Sequence, residues 1–505
     1  MIYVKLAGHD FLYEVEDIIR AFFDNEQVSS THCEPPAGYR GIFVCSGMYN
    51  DREGLRLKTL IVSDGIRRYG REVLLRDLPE EDPKNTGHER RKQIKRELRR
   101  ELYAAFSEIT GKHLPWGTLT GIRPAKIVHE MLEKGMGREE VQERLVGYYK
   151  MSAKKAGLLY EVAATERRLL ENRDTAAASL YIGIPFCNSR CLYCSFTSNL
   201  IGKYAGMVDA YLDALKKEIE GTARLVKKYG YRIQSIYMGG GTPTSIEAGQ
   251  LDSLLQYIEG SLDLSAAVEY TLEAGRPDSI NVEKLEAIKR SKVSRISINP
   301  QTMNDETLKL IGRNHTAEDV FRVFELVREW GFGNVNMDTI VGLPGETPAH
   351  FENTLKQIAL LGPESLTVHA LAVKRASRLK EDRKSYSLAS PEEAEKMVDT
   401  AWEYAAAWGM HPYYLYRQKN ILGNMENVGY SKPGYEGIYN MQIMEERQTI
   451  LAVGAGAVTK AVYPEENRIE RAFNVKSVEE YIRRIDEMVE RKKALLEGNV
   501  IKNAP

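Results

Sequence analysis

The 505-residue sequence lacks any run of 18 or more apolar residues, which excludes a spanning helix made from one continuous hydrophobic stretch. It also lacks an excess of either charge. Lys plus Arg total 70 against 71 for Asp plus Glu, so a net charge of −1 draws neither nucleic acid nor an anionic membrane to the whole molecule. An anionic ligand must therefore be met by a local cluster of cations. Cysteine is scarce as well. The five present, Cys33, Cys45, Cys187, Cys191 and Cys194, are too few and too unevenly spread for a disulfide framework in a chain of this length. The opening residues, MIYVKLAGHD, show no succession of basic, apolar and small residues of the kind that directs secretion, and a cytoplasmic protein is expected. No fixed-period repeat and no low-complexity segment interrupts the chain.

What is present suits a soluble globular protein of two or three domains, with 43% apolar and 28% charged residues. Residues 1–112 read as an α+β domain. Strand-like segments lie at Tyr3–Leu6, Gly41–Cys45 and Leu55–Val62, followed by the charged helical stretch HERRKQIKRELRRELYAAFSEITG, closed by Gly111. Its basic residues read as a solvated helix face. Residues 113–177 form a helical linker region. From 178 to 390, short apolar runs alternate with amphipathic helical patterns. The runs are Leu180–Ile184, Ile236–Met238, Glu269–Glu273, Arg295–Ile298, Val335–Ile340 and Leu366–Leu371. Six βα units imply an α/β fold with a parallel sheet, a partial (β/α)6 barrel whose working residues sit where strands end. Residues 391–505 are expected to be mostly helical. They contain a Tyr- and Gly-rich interruption near Tyr413–Tyr439 and a GAGA loop at Gly454–Ala457.

The chemistry is concentrated after the first barrel strand, in YIGIPFCNSRCLYCSF. Cys187, Cys191 and Cys194 stand in a C-x3-C-x2-C spacing. Thiolates are the usual ligands of iron–sulfur clusters, and four would close a [4Fe–4S] cluster. Three leave one iron open to chelate the amino and carboxylate groups of S-adenosylmethionine (SAM). The competing reading is a structural zinc site, which usually takes four ligands. Cys33 and Cys45 read as ordinary buried thiols.

Further motifs follow in order: GGGTPT at Gly239–Thr244, Glu273 in EYTLEAGRPD, Gln301 in RISINPQT, Arg313 in LIGRNH and Asp338 in VNMDTIVGLPGET. With the cysteine loop, these make the chain resemble the radical SAM superfamily. Within it, the chain resembles the oxygen-independent coproporphyrinogen III oxidase (coproporphyrinogen dehydrogenase) family, in the branch with an N-terminal extension. The resemblance implies that Cys187, Cys191 and Cys194 hold a [4Fe–4S] cluster, and that Gly240, Gly241 and Thr242 contact the methionyl end of SAM. It implies further cofactor contacts from Tyr181, Tyr193, Glu273, Gln301, Arg313 and Asp338, with Tyr181 and Arg313 closest to the catalysis, and one or two bound SAM molecules. The implied reaction is anaerobic. A 5′-deoxyadenosyl radical takes hydrogen from the carbon β to a propionate carboxylate of coproporphyrinogen III. Two rounds of decarboxylation give protoporphyrinogen IX for heme biosynthesis. An electron donor such as flavodoxin or ferredoxin is implied, and a monomer is compatible with the balanced composition.

A substrate with four propionates calls for cations. Two clusters qualify: Lys374, Arg375 and Arg378, and Arg417 with Lys419. Tyr413, Tyr414, Tyr416, Tyr430, Tyr435 and Tyr439 are candidates for a pocket wall, although tyrosines also pack cores. The sequence departs from the family in three respects. Phe196 stands where a fourth cysteine is usual, Gly183 stands where His is usual, and the N-terminal extension is additional. The main alternative is a heme chaperone of the same superfamily, and another is a radical methyltransferase acting on heme. The chaperones carry a His-Asn motif ahead of the GAGA loop, where this chain has NMENVGY; His369 and His411 are the remaining candidates for heme ligation.

Overall fold

Apolar residues at alternating positions start the chain as a strand: in β1 (Ile2–Ala7), Ile2 and Val4 point into the core. The computed structural model describes every residue except 24–25, 32–38, 77, 80–87, 172–173, 464–465, 467 and 503–505. It divides into two units, Met1–Tyr160 and Glu161–Pro505. The boundaries expected from the sequence are finer than this.

In the first unit β1 is followed by α1 (Leu12–Phe22), β2 (Val28–Ser30), β3 (Ile42–Asp51), β4 (Gly54–Ser63), β5 (Ile66–Leu74) and α2 (His88–Thr110). The strands form a five-stranded sheet in the order β2-β1-β3-β4-β5, parallel around β1 and antiparallel beyond β3. Helix α1 turns Val15, Ile18, Ile19 and Phe22 to one side, and α2 buries Ile94, Leu98, Leu102 and Phe106 in the same core. Gly111, at φ 68°, ends α2 as expected. The basic residues of α2 are paired within the unit: Arg91 with Asp10 at 2.8 Å, Lys95 with Glu14 at 2.6 Å, Lys92 with Glu130 at 3.0 Å. They form a neutralised helix face. Cys45, on β3, is only half-buried, because β3 turns Val44 rather than Cys45 to the core; Cys33 lies outside the described residues. Helices α3 (Ala125–Glu133), α4 (Arg138–Gly147) and α5 (Ala153–Leu170) follow.

The second unit contains the six expected strands as consecutive parallel neighbours. They are β6 (Ala177–Ile184), β7 (Arg232–Gly240), β8 (Glu269–Gly275), β9 (Arg295–Gln301), β10 (Val335–Val341) and β11 (Ser365–Ala370). A helix separates each of the five consecutive pairs: α6 (Val208–Tyr229), α7 (Ala248–Ser261), α8 (Val282–Arg290), α9 (Ala317–Glu329) and α10 (Pro348–Leu361). Strand β9 is buried at every residue, as a strand covered on both faces must be. Local signals start the helices where the pattern predicts. The Asn281 side chain accepts from the Lys284 amide, and Thr316 and Asp319 cap α9 reciprocally.

After α11 (Pro391–Ala407) the chain does more than add helices. It contributes β12 (His411–Tyr416), β13 (Asn427–Ser431), α12 (Ile438–Glu445), β14 (Thr449–Val453), β15 (Val458–Tyr463), β16 (Arg468–Phe473) and α13 (Ile485–Lys502). The strands extend both edges of the barrel sheet, in the order β12-β13-β11-β10-β9-β8-β7-β6-β14-β15-β16. Strand β14 is parallel to β6, so residues 391–505 share the sheet of 178–390 rather than standing apart from it. Neither end of this open sheet meets the other. Among the described residues, no helix is long and apolar enough to cross a membrane.

Candidate active site

The cysteine loop leaves the carboxyl end of β6 and is fastened from three later loops. The Leu192 amide bonds the Ile311 carbonyl at 2.9 Å, and the Leu379 amide bonds the Leu192 carbonyl at 3.0 Å. Arg276 Nη1 donates to Ser189 Oγ at 2.7 Å, and Ser189 Oγ donates to the Gly312 carbonyl at 2.7 Å. The GGGTPT turn packs on the loop backbone to backbone. Gly241 N donates to the Ile184 carbonyl at 2.8 Å and Thr242 N to the Phe186 carbonyl at 2.7 Å. Gly240, at φ 113°, occupies a conformation that favours glycine. The glycines thus bring two backbones together, whatever contact they also make with a ligand.

Each of the three cysteine sulfurs has a polar side chain beside it. Thr242 Oγ1 donates to Cys187 Sγ at 3.6 Å, Arg276 Nη1 to Cys191 Sγ at 3.9 Å, and Ser198 Oγ lies 3.8 Å from Cys194 Sγ. Burial pushes the Cys187 thiol up to about 11, with the neighbouring Cys194 and Cys191 acting in the same direction. A bound metal reverses that balance by stabilising the thiolate. An all-thiol donor set with a hydrogen-bonding group at every sulfur suits an iron–sulfur cluster.

Glu273 lies on β8 and Asp338 on β10, with β9 between them. Tyr181 on β6 and Tyr237 on β7 are in register, and their rings stack at 6.5 Å. Tyr439 of α12 stacks on Tyr237 at 4.7 Å. The Tyr237 hydroxyl donates to Glu273 Oε1. Burial pushes the Glu273 carboxyl up to about 7, with the Asp338 charge acting in the same direction. Asp338 differs. Burial acts against its charge, yet His369, Asn336 and Thr367 together hold it below its ordinary value. His369 Nε2 lies 3.6 Å from Asp338 Oδ2, and its Nδ1 lies 3.3 Å from the Tyr416 hydroxyl. Two carboxyls of the same sheet are thus driven apart in acidity, one towards the proton-carrying form and one towards the charged form.

Arg313 is buried against the cysteine loop. Its Nη2 donates to the Tyr193 hydroxyl at 3.4 Å and its Nη1 to the Asn299 carbonyl. Gln301 ends β9 at φ 71°, a conformation that costs a side-chain-bearing residue about 1–3 kcal/mol. Gln301 Oε1, Arg313 Nε and both ring nitrogens of His315 are buried without a hydrogen-bond partner. Burial, followed by the Arg313 charge, takes His315 down to about 3, so it is neutral. Buried orphan atoms are costly, about 1–3 kcal/mol each, and a polar ligand relieves that cost.

The structure therefore places Tyr181, Gly240, Glu273 and Asp338 on β6, β7, β8 and β10 of one sheet. It places Thr242, Tyr193 and Arg313 against the cysteine loop. The cations expected to meet propionates are arranged differently. Arg417 is buried, with Nη2 bonded to the Asn424 carbonyl at 2.7 Å, so it shapes a turn. Arg378 donates to the Arg190 carbonyl at 2.5 Å and thereby holds the cysteine loop. Lys374 Nζ reaches the Lys419 carbonyl at 3.2 Å, which makes the two expected clusters neighbours; Arg375 is exposed. Of the tyrosines, Tyr413, Tyr414 and Tyr430 are core residues, and Tyr435 is exposed. Sequence reasoning missed Arg276, Ser198, His315 and Tyr237. For Arg276 a signal existed, since EAGRPD sets a cation three residues beyond Glu273 at the same strand end.

A second network supports the GAGA loop. Glu218 of α6 accepts from the Gly454 amide at 2.7 Å, from Asn474 Nδ2 at 2.7 Å, and from Tyr481 and Lys492. Lys492 also bonds the Ala452 carbonyl at 2.8 Å. Gly454 in turn lies against Gly183, where a Cβ would come within 2.4 Å of the Gly183 carbonyl oxygen. Gly183 is thus in backbone contact with the GAGA loop.

Comparison with known proteins places this geometry. The model of the Radical SAM superfamily matches residues 181–358. The chain is 41% identical over 418 residues to the oxygen-independent coproporphyrinogen-III oxidase-like protein HemZ of Bacillus subtilis strain 168, covering 82% of this chain and 83% of that one. It is 34% identical over 283 residues to the heme chaperone HemW of the same organism, covering 55% of this chain and 70% of that one. Among solved structures, the coproporphyrinogen III oxidase HemN of Escherichia coli aligns with a TM-score of 0.50 at 24% identity, over 65% of this chain and 73% of that chain, a likeness of fold.

Proposed function

This chain belongs to the radical SAM superfamily, among the proteins resembling oxygen-independent coproporphyrinogen III oxidase, and from that premise we propose that it decarboxylates coproporphyrinogen III to protoporphyrinogen IX. The observation that carries the reading is the polar side chain beside each sulfur of Cys187, Cys191 and Cys194, in a sheet that also carries the buried carboxyls of Glu273 and Asp338. These cysteines would hold a [4Fe–4S] cluster. When bound and reduced, such a cluster would supply the electron for cleavage of SAM and thereby the radical chemistry of hydrogen abstraction.

The chain's own part is to bind and orient. Glu273, its carboxyl pushed up to about 7 by burial, shares its time near neutral pH between donor and acceptor, and Asp338, held below its ordinary value, is an acceptor for hydroxyls or an amine of SAM. Gln301 Oε1 and Arg313 Nε supply further polar atoms, and Arg313 suits a carboxylate. Tyr181, stacked on Tyr237, lies beside Gly240 and bounds the site on the β6 side. Lys374, Arg375 and Lys419 remain as the cations nearest to a propionate-binding role. An electron donor of the flavodoxin or ferredoxin kind would supply the reducing equivalent.

A heme chaperone is the second reading, favoured by the 34% identity to a protein of that name and by Phe196 in place of a cysteine. Against it, both nitrogens of His369 are engaged, by Asp338 and Tyr416, and His411 Nε2 lies 3.0 Å from Glu436. Two assays separate the readings: hemin titration of the anaerobic protein, and SAM cleavage with and without coproporphyrinogen III. Stoichiometric hemin uptake with substrate-independent cleavage would reverse the assignment.

A further inference from the structure

Thr242, Arg276 and Ser198 each stand beside one cysteine sulfur, and of these three only Arg276 carries a charge. Its geometry is directional. The edge formed by Nε and Nη2 is held by Asp278, at 2.9 Å to Oδ1 and 3.0 Å to Oδ2. That leaves Nη1 for Ser189 Oγ at 2.7 Å, the Ser189 carbonyl at 3.3 Å and Cys191 Sγ at 3.9 Å. The side chain is 3% exposed, so water screens its field weakly.

We infer that Arg276 raises the reduction potential of the cluster held by Cys187, Cys191 and Cys194, and that Asp278 opposes it by offsetting part of its charge. The inference rests on the cluster reading above. Reduction adds one electron, taken from a low-potential donor, and so one negative charge to the cluster, while no bond at Arg276 forms or breaks and no proton moves. A fixed cation beside a ligand sulfur favours the more negative state, and hydrogen bonds to the sulfurs act in the same direction. Asp278, on the far edge of the guanidinium, lowers the net charge seen by the sulfur. The two residues therefore act with opposite sign on one measurable quantity, although both hold the same loop.

The test is a dithionite titration of the anaerobically reconstituted full chain without SAM, reading the paramagnetic signal of the reduced cluster against solution potential. Arg276→Gln should lower the reduced-to-oxidised ratio at a fixed potential by about tenfold, which is 59 mV for one electron. Asp278→Asn should raise that ratio, and Arg276→Lys should fall between Arg276→Gln and the unaltered protein. Equal midpoints in all variants, or a shift of the same sign in Arg276→Gln and Asp278→Asn, would overturn the inference and leave Arg276 as a loop fastener. If Arg276→Gln takes up no iron, Asp278→Asn decides: an upward shift supports the inference, and an unchanged or lower midpoint overturns it. Unaltered protein that takes up no iron would overturn the cluster reading and this inference together. Loaded protein with unmoved variants would overturn this inference alone.

Discussion

A Cβ at Gly241 would lie 2.4 Å from the carbonyl oxygen of Phe186, so the glycine turn and the cysteine loop meet backbone to backbone. Gly241→Ala must push them apart, at the cost of about 1–3 kcal/mol typical of overpacking. Iron bound per chain after reconstitution should fall, and SAM cleavage should drop by about tenfold or more. Gly249→Ala is the control. A Cβ there meets nothing within 4 Å, and stability should stay within about 1 kcal/mol of the unaltered protein.

Glu273 makes stability depend on pH. Burial lifts its carboxyl from an ordinary 4.5 to about 7, so the folded chain holds a proton there that the unfolded chain gives up. The folded state thus binds more protons between those values, and stability must fall as pH rises from 4.5 towards 7. Glu273→Gln should flatten that segment of a urea-unfolding profile recorded without SAM. A profile as steep as before would place the titration elsewhere.

Lys492 and Glu218 form a fully buried ion pair, with side chains 1% and 0% exposed. Lys492→Met leaves the Glu218 charge without its cation and should cost about 3–5 kcal/mol. Adding Glu218→Gln should recover a large part of that loss, because an uncompensated charge is what destabilises the single variant. Because Glu218 also holds the Gly454 amide, the single variant should loosen the GAGA loop as well as the fold, which amide hydrogen exchange at Gly454 would read.

Cys191→Ala should remove the brown absorbance of the reconstituted protein and all SAM cleavage, with the far-ultraviolet circular dichroism of the fold retained. Arg313→Ala should lower SAM affinity more than iron content. An equal loss of both would make Arg313 a support of the cysteine loop, to which its Tyr193 contact also belongs.

The barrel strands were legible because their signal is local. Runs such as Arg295–Ile298 are apolar or buried over their whole length and bounded by helix caps such as Asn281 and Thr316. The cysteine spacing is equally local. The edge strands were not legible, since β14 becomes a strand by pairing with β6, some 270 residues earlier, as in Leu451 opposite Leu180. Within the site, residue type leaves the partner open. Arg417 and Arg378 read as candidate cations for an anionic ligand, and in the fold they donate to the carbonyls of Asn424 and Arg190. EAGRPD sets Arg276 beside Glu273 at one strand end, but only the fold turns its side chain back to a sulfur 85 residues earlier.

Strictly anaerobic turnover of the reconstituted protein with SAM, a low-potential reductant and coproporphyrinogen III, with products followed by mass spectrometry, tests the proposed decarboxylation most directly. Two carboxyl groups should be lost per tetrapyrrole, with one 5′-deoxyadenosine formed for each. Deoxyadenosine without decarboxylated product, or tight hemin binding with no turnover, would show that the chain is not a coproporphyrinogen III decarboxylase.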